Sequence, residues 1–442
     1  MAAKFHVINL GCKVNKVESD TLAAALMAAG AEPSALAEAD VILINSCCVT
    51  AEADAKSRKA LRRALKSAAD AAVIVTGCGA VVDAEQFLSI SPRCLLIAEK
   101  PQALAQALEL LGLEAAAPAA PTRPVRPASD AATPASDTAS PASDAVRYLR
   151  SGKNFNTRVP VKVQDGCDNA CSYCIVPRAR GRAWSVPHQQ VLSEMAALVE
   201  AGTRELVLTG IDLGSYQDDT CSLPALLSQA LALGSQHRLR LSSIELPQIS
   251  KELIELMADA NGRICAFLHI PLQSGSDAVL AAMNRRYDVA EFRAQIMTIK
   301  RYLPQIALST DIIVGFPGEA EADFAQTLAL SRELGFSRIH VFRYSKRPGT
   351  AAALMPGQLP AEIKIERAAR LRQLGLELAE LDGLRRVGTV EQVLVESPLT
   401  GRAESYHEVQ LQKPLPRGSL LDMKLVGYQQ GKLVGLEAGA GK

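Results

Sequence analysis

The chain has 442 residues, enough for about three domains, and its 48 Lys and Arg nearly balance 47 Asp and Glu, so net charge favours neither an acidic nor a basic partner. It contains no run of about eighteen apolar residues and no apolar stretch of signal-peptide type at its start, so we expect neither a membrane span nor export. In a cytoplasmic protein, the ten cysteines are expected to serve metal or redox chemistry rather than disulfides.

Three short apolar strands are predicted in the first region, residues 1–113, and each is followed two residues later by a cysteine. The strands span residues 5–10, 41–45 and 73–76, and the cysteines are Cys12, Cys47 with its neighbour Cys48, and Cys78. A helix follows the first strand, and this alternation predicts a parallel sheet. Because the carboxyl ends of parallel strands share one edge, which is the usual ligand crevice, we expect three of these thiols to meet there.

The predicted helix at residues 51–68 begins just after Cys47 and carries a run of positive charge. Lys56, Lys59, Arg63 and Lys66 fall on one face at helical spacing. This run is either an ordinary solvated face or a surface that contacts phosphate groups.

Residues 114–147 have a different composition, dominated by Ala, Pro, Ser and Asp. The tetrapeptide PASD occurs three times with a period of seven residues. No apolar face can be drawn through this segment, so it cannot offset the entropy of ordering, and we predict a disordered spacer. It would separate the first region from a second one at residues 148–375.

The second region opens with a strand followed by the loop QDGCDNACSYC at residues 164–174. Cys167, Cys171 and Cys174 stand there in a C-x3-C-x2-C pattern, which can bring three thiolates to one centre. Iron–sulfur cubanes are normally held by four cysteines, so three ligands would leave one iron open for chemistry. Zinc is the alternative, although structural zinc sites are closed by four ligands and usually use C-x2-C pairs.

Helices and strands alternate regularly after this loop, and we count six β/α units. Six are too few for a closed eight-stranded barrel, so the α/β prediction is a partial (β/α)6 barrel with a lateral opening. His269 and His340 lie in apolar strands and are expected to line the barrel rather than to bind metal. Cations near strand ends, such as Arg180 and Arg285, form either a basic rim for a phosphate backbone or internal ion pairs.

The last region, residues 376–442, contains short alternating segments separated by glycine turns. This pattern predicts a small all-β barrel.

The loop at residues 164–174, with the IVPRARGR that follows it, resembles the radical S-adenosylmethionine (SAM) methylthiotransferase family. The segments GCKVNKVES, NSCCVT and TGC are similar to the cysteine motifs of that family's N-terminal domain, and residues 376–442 resemble its RNA-binding TRAM module. The resemblance implies one [4Fe–4S] cluster on Cys167, Cys171 and Cys174 and a second on Cys12, Cys47 and Cys78. Relatives usually carry a small polar residue at position 48, so Cys47 is the preferred ligand and Cys48 the alternative. The residues implied to bind the cofactor SAM are Tyr173, Gly210, Glu245, Gln273 and Asp311.

The same resemblance implies the addition of a methylthio group at an unreactive C–H carbon. SAM cleavage at the first cluster would supply a radical, the second cluster would carry the sulfur, and another SAM would methylate it. The segments GCKVN at 11–15 and MNRRY at 283–287 look most like the branch that acts on C2 of N6-threonylcarbamoyladenosine at position 37 of tRNA.

Alternative substrates are isopentenyl adenosine in tRNA and an aspartate of a ribosomal protein. A non-catalytic iron–sulfur RNA-binding protein is the alternative from another class. The expected partners are tRNA, an electron donor and a sulfur source, and we expect a monomer.

Overall fold

The computed structural model describes residues 2–114 and 157–438. The predicted spacer therefore lies, apart from Glu114, outside the described residues. The described chain divides into two units. The first holds residues 2–114 with 165–168 and 175–201, and the second holds residues 157–164, 169–174 and 202–438.

The first unit is built on a five-stranded parallel sheet, as predicted. Its strands are β1 (Lys4–Asn9), β2 (Glu32–Pro33), β3 (Val41–Ser46), β4 (Ala72–Gly77) and β5 (Cys94–Leu96), in the order β2-β1-β3-β4-β5. Every residue of β3 is buried, because Ile42 and Ile44 pack into a core on one face and Val41 and Leu43 into a core on the other. Burial on both faces explains why the central strands have continuous apolar sequences.

Helices of the first unit alternate with the strands of this sheet as far as residue 110, and two more follow at residues 176–200. They are α1 (Lys13–Ala28), α2 (Ala51–Ser67), α3 (Cys78–Val82), α4 (Ala84–Leu88), α5 (Lys100–Leu110), α6 (Val176–Arg180) and α7 (His188–Glu200). Helix α2 begins at a well-formed cap, since the Thr50 side chain accepts a hydrogen bond from the Ala53 N–H at 3.1 Å.

The second unit contains six parallel strands that follow one another in chain order. They are β6 (Arg158–Lys162), β7 (Glu205–Thr209), β8 (Arg238–Leu241), β9 (Phe267–His269), β10 (Ala307–Val314) and β11 (Arg338–Arg343). Strands β6 to β8 form one sheet and β9 to β11 another, and parallel bridges Leu239–Ile264 and Ser243–His269 continue the first into the second. No backbone pairing joins β11 to β6 within the described ranges. The partial (β/α)6 barrel is thus confirmed.

Five of the six helices described in the second unit end within two residues of their predicted limits, which are 223–233, 251–260, 289–303, 319–334 and 361–383. The helix at residues 277–282 was not predicted. The six are α8 (Leu223–Leu231), α9 (Lys251–Asp259), α10 (Asp277–Ala282), α11 (Val289–Tyr302), α12 (Glu321–Leu334) and α13 (Ala361–Arg385). Helix α13 runs through the predicted domain limit at 375/376, so the change to β structure comes later than that limit. Within residues 2–114 and 157–438, no helix combines the length and the hydropathy needed to cross a bilayer.

A closed five-stranded barrel ends the chain, as predicted. Its strands are β12 (Val390–Ser397), β13 (Thr400–Ala403), β14 (Glu408–Leu411), β15 (Leu420–Gln429) and β16 (Lys432–Glu437), in the order β12-β13-β14-β16-β15. Its core contains Val393, Val409 and Leu433, each with no exposed surface, and burial of such a side chain contributes about 1.5–3 kcal/mol.

A buried ion-pair triad connects this small barrel to β7 and β8. The Glu205 carboxylate pairs with Arg238 at 2.6 Å and with Arg240 at 2.6 Å, and none of the three side chains has exposed surface. The two guanidinium groups also donate to main-chain carbonyls of residues 392 and 402–404 at 2.7–3.0 Å. The small barrel is therefore held in part through its backbone. Side chains add to this, since Glu396 pairs with Arg158 at 2.6 Å and the Tyr406 ring stacks on that of Phe267.

Candidate metal and cofactor site

Three cysteines meet at the carboxyl edge of the first sheet, where the sequence predicts them. A Cβ built on Gly11 would lie 2.8 Å from the Cys47 Cβ and 3.0 Å from its Sγ, so the Gly11–Cys12 turn packs directly against Cys47. Cys12 and Cys78 are also close enough to Cys47 to interact with it electrostatically. Burial is the main reason why the pKa of Cys47 rises to about 11.

Cys48 lies in the same group of thiols. It is fully buried, and it donates a hydrogen bond to Cys78. This bond, with a contribution from Arg180, lowers the pKa of Cys78 despite its burial, which favours the thiolate that metals bind. Cys47 stays the predicted ligand because it packs against the Gly11–Cys12 turn.

Two asparagines and one serine hold this edge in place, and none of the three was predicted as a site residue. Asn15 Nδ2 donates to the carbonyls of residues 10 and 46 at 2.8 and 3.1 Å, and Asn45 Nδ2 donates to the Asn15 carbonyl at 3.0 Å. The Ser57 hydroxyl lies 3.3 Å from both the N and the O of Cys47. Because these groups are buried, they fix the backbone that carries the thiols.

Arg180 is an internal cation of the first unit, so its interpretation as part of a basic rim is wrong. Its Nε lies 3.2 Å from the Cys78 Sγ. One terminal nitrogen, Nη1, donates to the carboxylates of Glu18 and Asp165 at 2.9 Å. Asp165 precedes Cys167 by two residues. The Arg180 guanidinium therefore contacts both Cys78, a predicted ligand of the second cluster, and the start of the loop that is predicted to hold the first cluster.

The loop that begins at Gly166 needs glycine there. Gly166 has φ +69°, and a Cβ on it would lie 2.0 Å from the Arg182 carbonyl oxygen. The Cys167 N–H donates to the Gly181 carbonyl at 3.2 Å, and the Cys174 N–H donates to the Cys171 carbonyl at 3.1 Å. Cys167 belongs to the first unit, whereas Cys171 and Cys174 belong to the second.

Arg285 organises the second unit's part of this site. Its Nη1 lies 3.2 Å from the Cys171 Sγ and 3.5 Å from the Tyr173 hydroxyl, and its Nη2 pairs with the Glu245 carboxylate. Tyr287, whose hydroxyl accepts from Arg285 at 2.9 Å, donates in turn to the Pro271 carbonyl at 2.6 Å. Arg285 thus joins three strand ends, and the basic-rim interpretation is wrong for it also. The segment MNRRY was the signal that could have identified it.

Gln273 has the features expected of a ligand-binding residue. Its φ is +67°, a strained conformation that non-glycine residues adopt mainly at functional sites. Its side-chain Oε1 is buried without a hydrogen-bond partner among the described residues. A buried acceptor of this kind requires a donor, which a bound ligand would supply.

Gly210 and Asp311 are engaged with protein groups. A Cβ on Gly210 would lie 2.8 Å from the Gln164 Oε1, so the glycine makes room for that side chain. Asp311 Oδ1 lies 3.1 Å from Nε2 of His269, and His340 approaches the same pair. His269 and His340 therefore belong to a polar group at the barrel strands, and cofactor contacts of Gly210 and Asp311 stay predictions.

The residues present fit the cofactors that the sequence resemblance implies. The first unit offers three neighbouring thiols at the sheet edge, and the pKa of one of them, Cys78, is lowered. A side chain at position 11 would collide with Cys47 at this edge. The second unit offers the Cys171 thiol beside Arg285, Cys174 in the same loop, and an unsatisfied acceptor at Gln273. Both are donor sets of the kind that bind iron–sulfur clusters and polar ligands.

Comparison with known proteins identifies the class. The profile of the Radical SAM superfamily matches residues 161–331, and that of the Uncharacterized protein family UPF0004 matches residues 4–98. The fold resembles that of the radical S-adenosylmethionine methyltransferase TsrM from Kitasatospora setae, with a TM-score of 0.55, 14% identity, and coverage of 80% of this chain and 77% of that one. The protein is a radical SAM enzyme, and this class implies SAM and a [4Fe–4S] cluster.

Two relatives define the family within this class. The threonylcarbamoyladenosine tRNA methylthiotransferase MtaB of Chlamydia pneumoniae is 32% identical, over 92% of this chain and 90% of its own length. The tRNA-2-methylthio-N(6)-dimethylallyladenosine synthase of Nitratidesulfovibrio vulgaris is 35% identical, over 89% of this chain and 86% of its own length. The chain belongs to the radical SAM methylthiotransferase family.

Proposed function

We propose that the protein adds a methylthio group to C2 of N6-threonylcarbamoyladenosine at position 37 of tRNA. The observation that carries this proposal is the presence of two separate cysteine sets, of which the first unit's trio lies at a built sheet edge. The names of the similar proteins from Chlamydia pneumoniae and other bacteria support the substrate. This reaction would take place in the cytoplasm, where tRNA is found.

The residues that would hold each cofactor follow from the site. Cys167, Cys171 and Cys174 would hold one [4Fe–4S] cluster with SAM, and a second trio would hold another. That trio is Cys12, Cys47 and Cys78. When bound, these groups supply a carbon radical from SAM and the sulfur and methyl group that are inserted.

The chain's own residues bind, orient and shield. Arg285 places a positive charge beside Cys171 and fixes Glu245, while Tyr287 attaches both to the loop that carries Gln273. Gln273 would present its amide oxygen to a donor of SAM. Arg180 offsets the charge of a Cys78 thiolate.

The remaining assignments complete the proposal. Residues 1–113 would form the second-cluster domain and the strands from β6 to β11 the radical SAM core. The closed barrel from β12 to β16 would be a TRAM-like RNA-binding domain. A tRNA substrate, an electron donor and a sulfur source are the partners, with the enzyme acting as a monomer.

Mass spectrometry of tRNA nucleosides tests the substrate. In cells that lack this chain, the 2-methylthio form of N6-threonylcarbamoyladenosine should disappear and the unmethylthiolated form accumulate. Unchanged amounts of both would contradict the proposal. The control is a complemented strain that carries the gene on a plasmid.

The cofactor assignment has its own test. Reconstituted, anaerobic Cys171→Ala protein should produce no 5′-deoxyadenosine from SAM under reducing conditions, because a ligand is lost. Cys221→Ala is the matched control, since Cys221 is a buried thiol of the same unit outside the loop. Equal product from the two variants would overturn the assignment.

Isopentenyl adenosine is the second candidate substrate, and the 35% identity to the Nitratidesulfovibrio vulgaris synthase favours it. Purified, cluster-loaded enzyme can be supplied with tRNAs that carry one or the other modification, and with ribosomal protein. Methylthiolation of the isopentenyl tRNA alone would select this candidate. Methylthiolation of the protein alone would exclude both tRNA substrates.

A further inference from the structure

Helix α2 presents an uncompensated strip of positive charge. Residues 55–68 contain six Lys and Arg and no Asp or Glu, although the chain as a whole is nearly neutral. Arg58 donates to Gln86. The other five cations are exposed, and no ion pair to a described residue involves them. They are Lys56, Lys59, Arg62, Arg63 and Lys66.

The opposite face of α2 is part of the candidate metal site. Leu61 and Ala64 are fully buried there in the core under the sheet. Ser57, also fully buried, contacts both backbone groups of Cys47 at 3.3 Å. The charged face therefore lies across one helix width, about 10 Å, from the backbone of a predicted cluster ligand.

The spacing of the cations suits a polyanion. Lys56, Lys59, Arg63 and Lys66 recur every three to four residues, which corresponds to about 5 Å along the helix axis. Such a row can face successive phosphates of one strand, and a nucleic acid that neutralises it releases counterions. On a face that contacts only solvent, carboxylates that pair with the cations would reduce their mutual repulsion. The lack of ion pairs to these cations among the described residues therefore favours an anionic partner.

We propose that the exposed face of α2 binds the phosphate backbone of the tRNA substrate. The proposal rests on the proposed function only in taking tRNA as the substrate, and it assigns the surface that docks it. Because Ser57 joins the opposite face of α2 to the Cys47 backbone, RNA bound to the charged face lies about one helix width from that backbone. The helix thus serves as a docking element for the site at which sulfur is held.

The test is the salt dependence of tRNA binding. A variant with Lys56, Lys59, Arg63 and Lys66 all changed to Ala should lower the slope of log affinity against log salt by about 3, since each phosphate contact contributes about 0.7–0.9. Between 50 and 200 mM salt, its affinity should then change about sixtyfold less than that of the wild type. Fluorescence anisotropy with labelled tRNA measures this directly.

A charge-matched variant controls for the loss of four positive charges. Lys4, Lys251, Arg293 and Arg370 each pair with a carboxylate on the surface, and changing all four to Ala should leave the slope near that of the wild type. If the two variants show equal slopes, the inference is overturned.

Two further measurements keep the outcomes distinct. Iron content and 5′-deoxyadenosine production without tRNA should be unchanged in the α2 variant, which shows that its fold and clusters are intact. The double variant Lys59→Gln/Lys66→Gln should show about half the slope change, even if the fourfold variant does not fold. A wild-type protein that binds tRNA without salt dependence would count against the docking surface. A wild-type protein that does not bind tRNA at all would count against the proposed function instead.

Discussion

The buried triad of Glu205 with Arg238 and Arg240 allows a quantitative prediction. The change Glu205→Gln keeps the shape of the side chain and one acceptor oxygen but removes its charge. Two guanidinium groups with no exposed surface then lose the carboxylate with which both form ion pairs. Because they also hold the carbonyls of the C-terminal barrel, their attachment to that barrel should weaken at the same time.

Two independent arguments give the size of this effect. Removing one partner of a buried ion pair typically costs about 3–5 kcal/mol. Burial raises the pKa of Glu205, but Arg240 and Arg238 outweigh it and bring the pKa to about 2. For a fully buried carboxyl whose ordinary pKa is about 4.3, this depression corresponds to about 3 kcal/mol of folding free energy.

The sign of the pH dependence follows from the same shift. A carboxyl whose folded pKa lies below its unfolded pKa stabilises the fold fully above about pH 4.3, and this contribution is lost as the pH falls towards about 2. Urea unfolding followed by circular dichroism should therefore place Glu205→Gln about 3 kcal/mol below the wild type at pH 7. The difference should narrow between pH 4 and pH 3.

Glu255→Gln is the matched control, because Glu255 pairs with Lys251 at 2.9 Å on the surface. We expect it to change stability little, since exposed pairs are screened by solvent. The reasoning is refuted if Glu205→Gln is no less stable than Glu255→Gln, or if its deficit stays constant down to pH 3.

Three further substitutions test the candidate site. Gly166→Ala forces the backbone away from Arg182 and should lower the iron content of reconstituted protein by about one cluster. The control Gly112→Ala, at φ +65° with open space around it, should leave the iron content unchanged, and iron analysis measures both. Arg285→Lys cannot bridge Cys171 and Glu245 together and should lower 5′-deoxyadenosine production at least about tenfold, while exposed Arg286→Lys should leave it unchanged. Gln273→Gly relieves the backbone strain of the positive φ, worth about 1 kcal/mol, and removes the unsatisfied amide, so the melting temperature should rise. Equilibrium dialysis should show weaker SAM binding, and stronger SAM binding would exclude a contact between Gln273 and SAM.

Much of the fold was predictable because it follows hydrophobic periodicity. Strands β7 and β10 have the limits that the sequence predicts, 205–209 and 307–314, and α11 and α12 lie within two residues of their predicted ranges, 289–303 and 319–334. Strand β13, with the sequence TGRA, was missed because it is short and polar and is a strand only through its neighbours in the closed barrel.

The candidate site was predictable at its cysteines and less so around them. Strand-end placement was sufficient to bring Cys12, Cys47 and Cys78 to one edge. The roles of Arg180 and Arg285 depend on carboxylates and thiols that are far away in sequence. Nothing local distinguishes a buried arginine from an exposed one, so the sequence left a basic rim and internal ion pairs open as alternatives.

The way in which Arg238 and Arg240 hold the small barrel has a consequence for engineering. Both donate hydrogen bonds to main-chain oxygens at residues 392 and 402–404, and any amino acid at those positions would provide these oxygens. Barrel side chains that do not contact the core are thus free to change without loss of attachment, whereas Glu396 and Tyr406, which contact Arg158 and Phe267, belong to the joint and should be kept. Chimaeras that exchange this module for one of the same topology should stay joined to the core while acquiring a different surface.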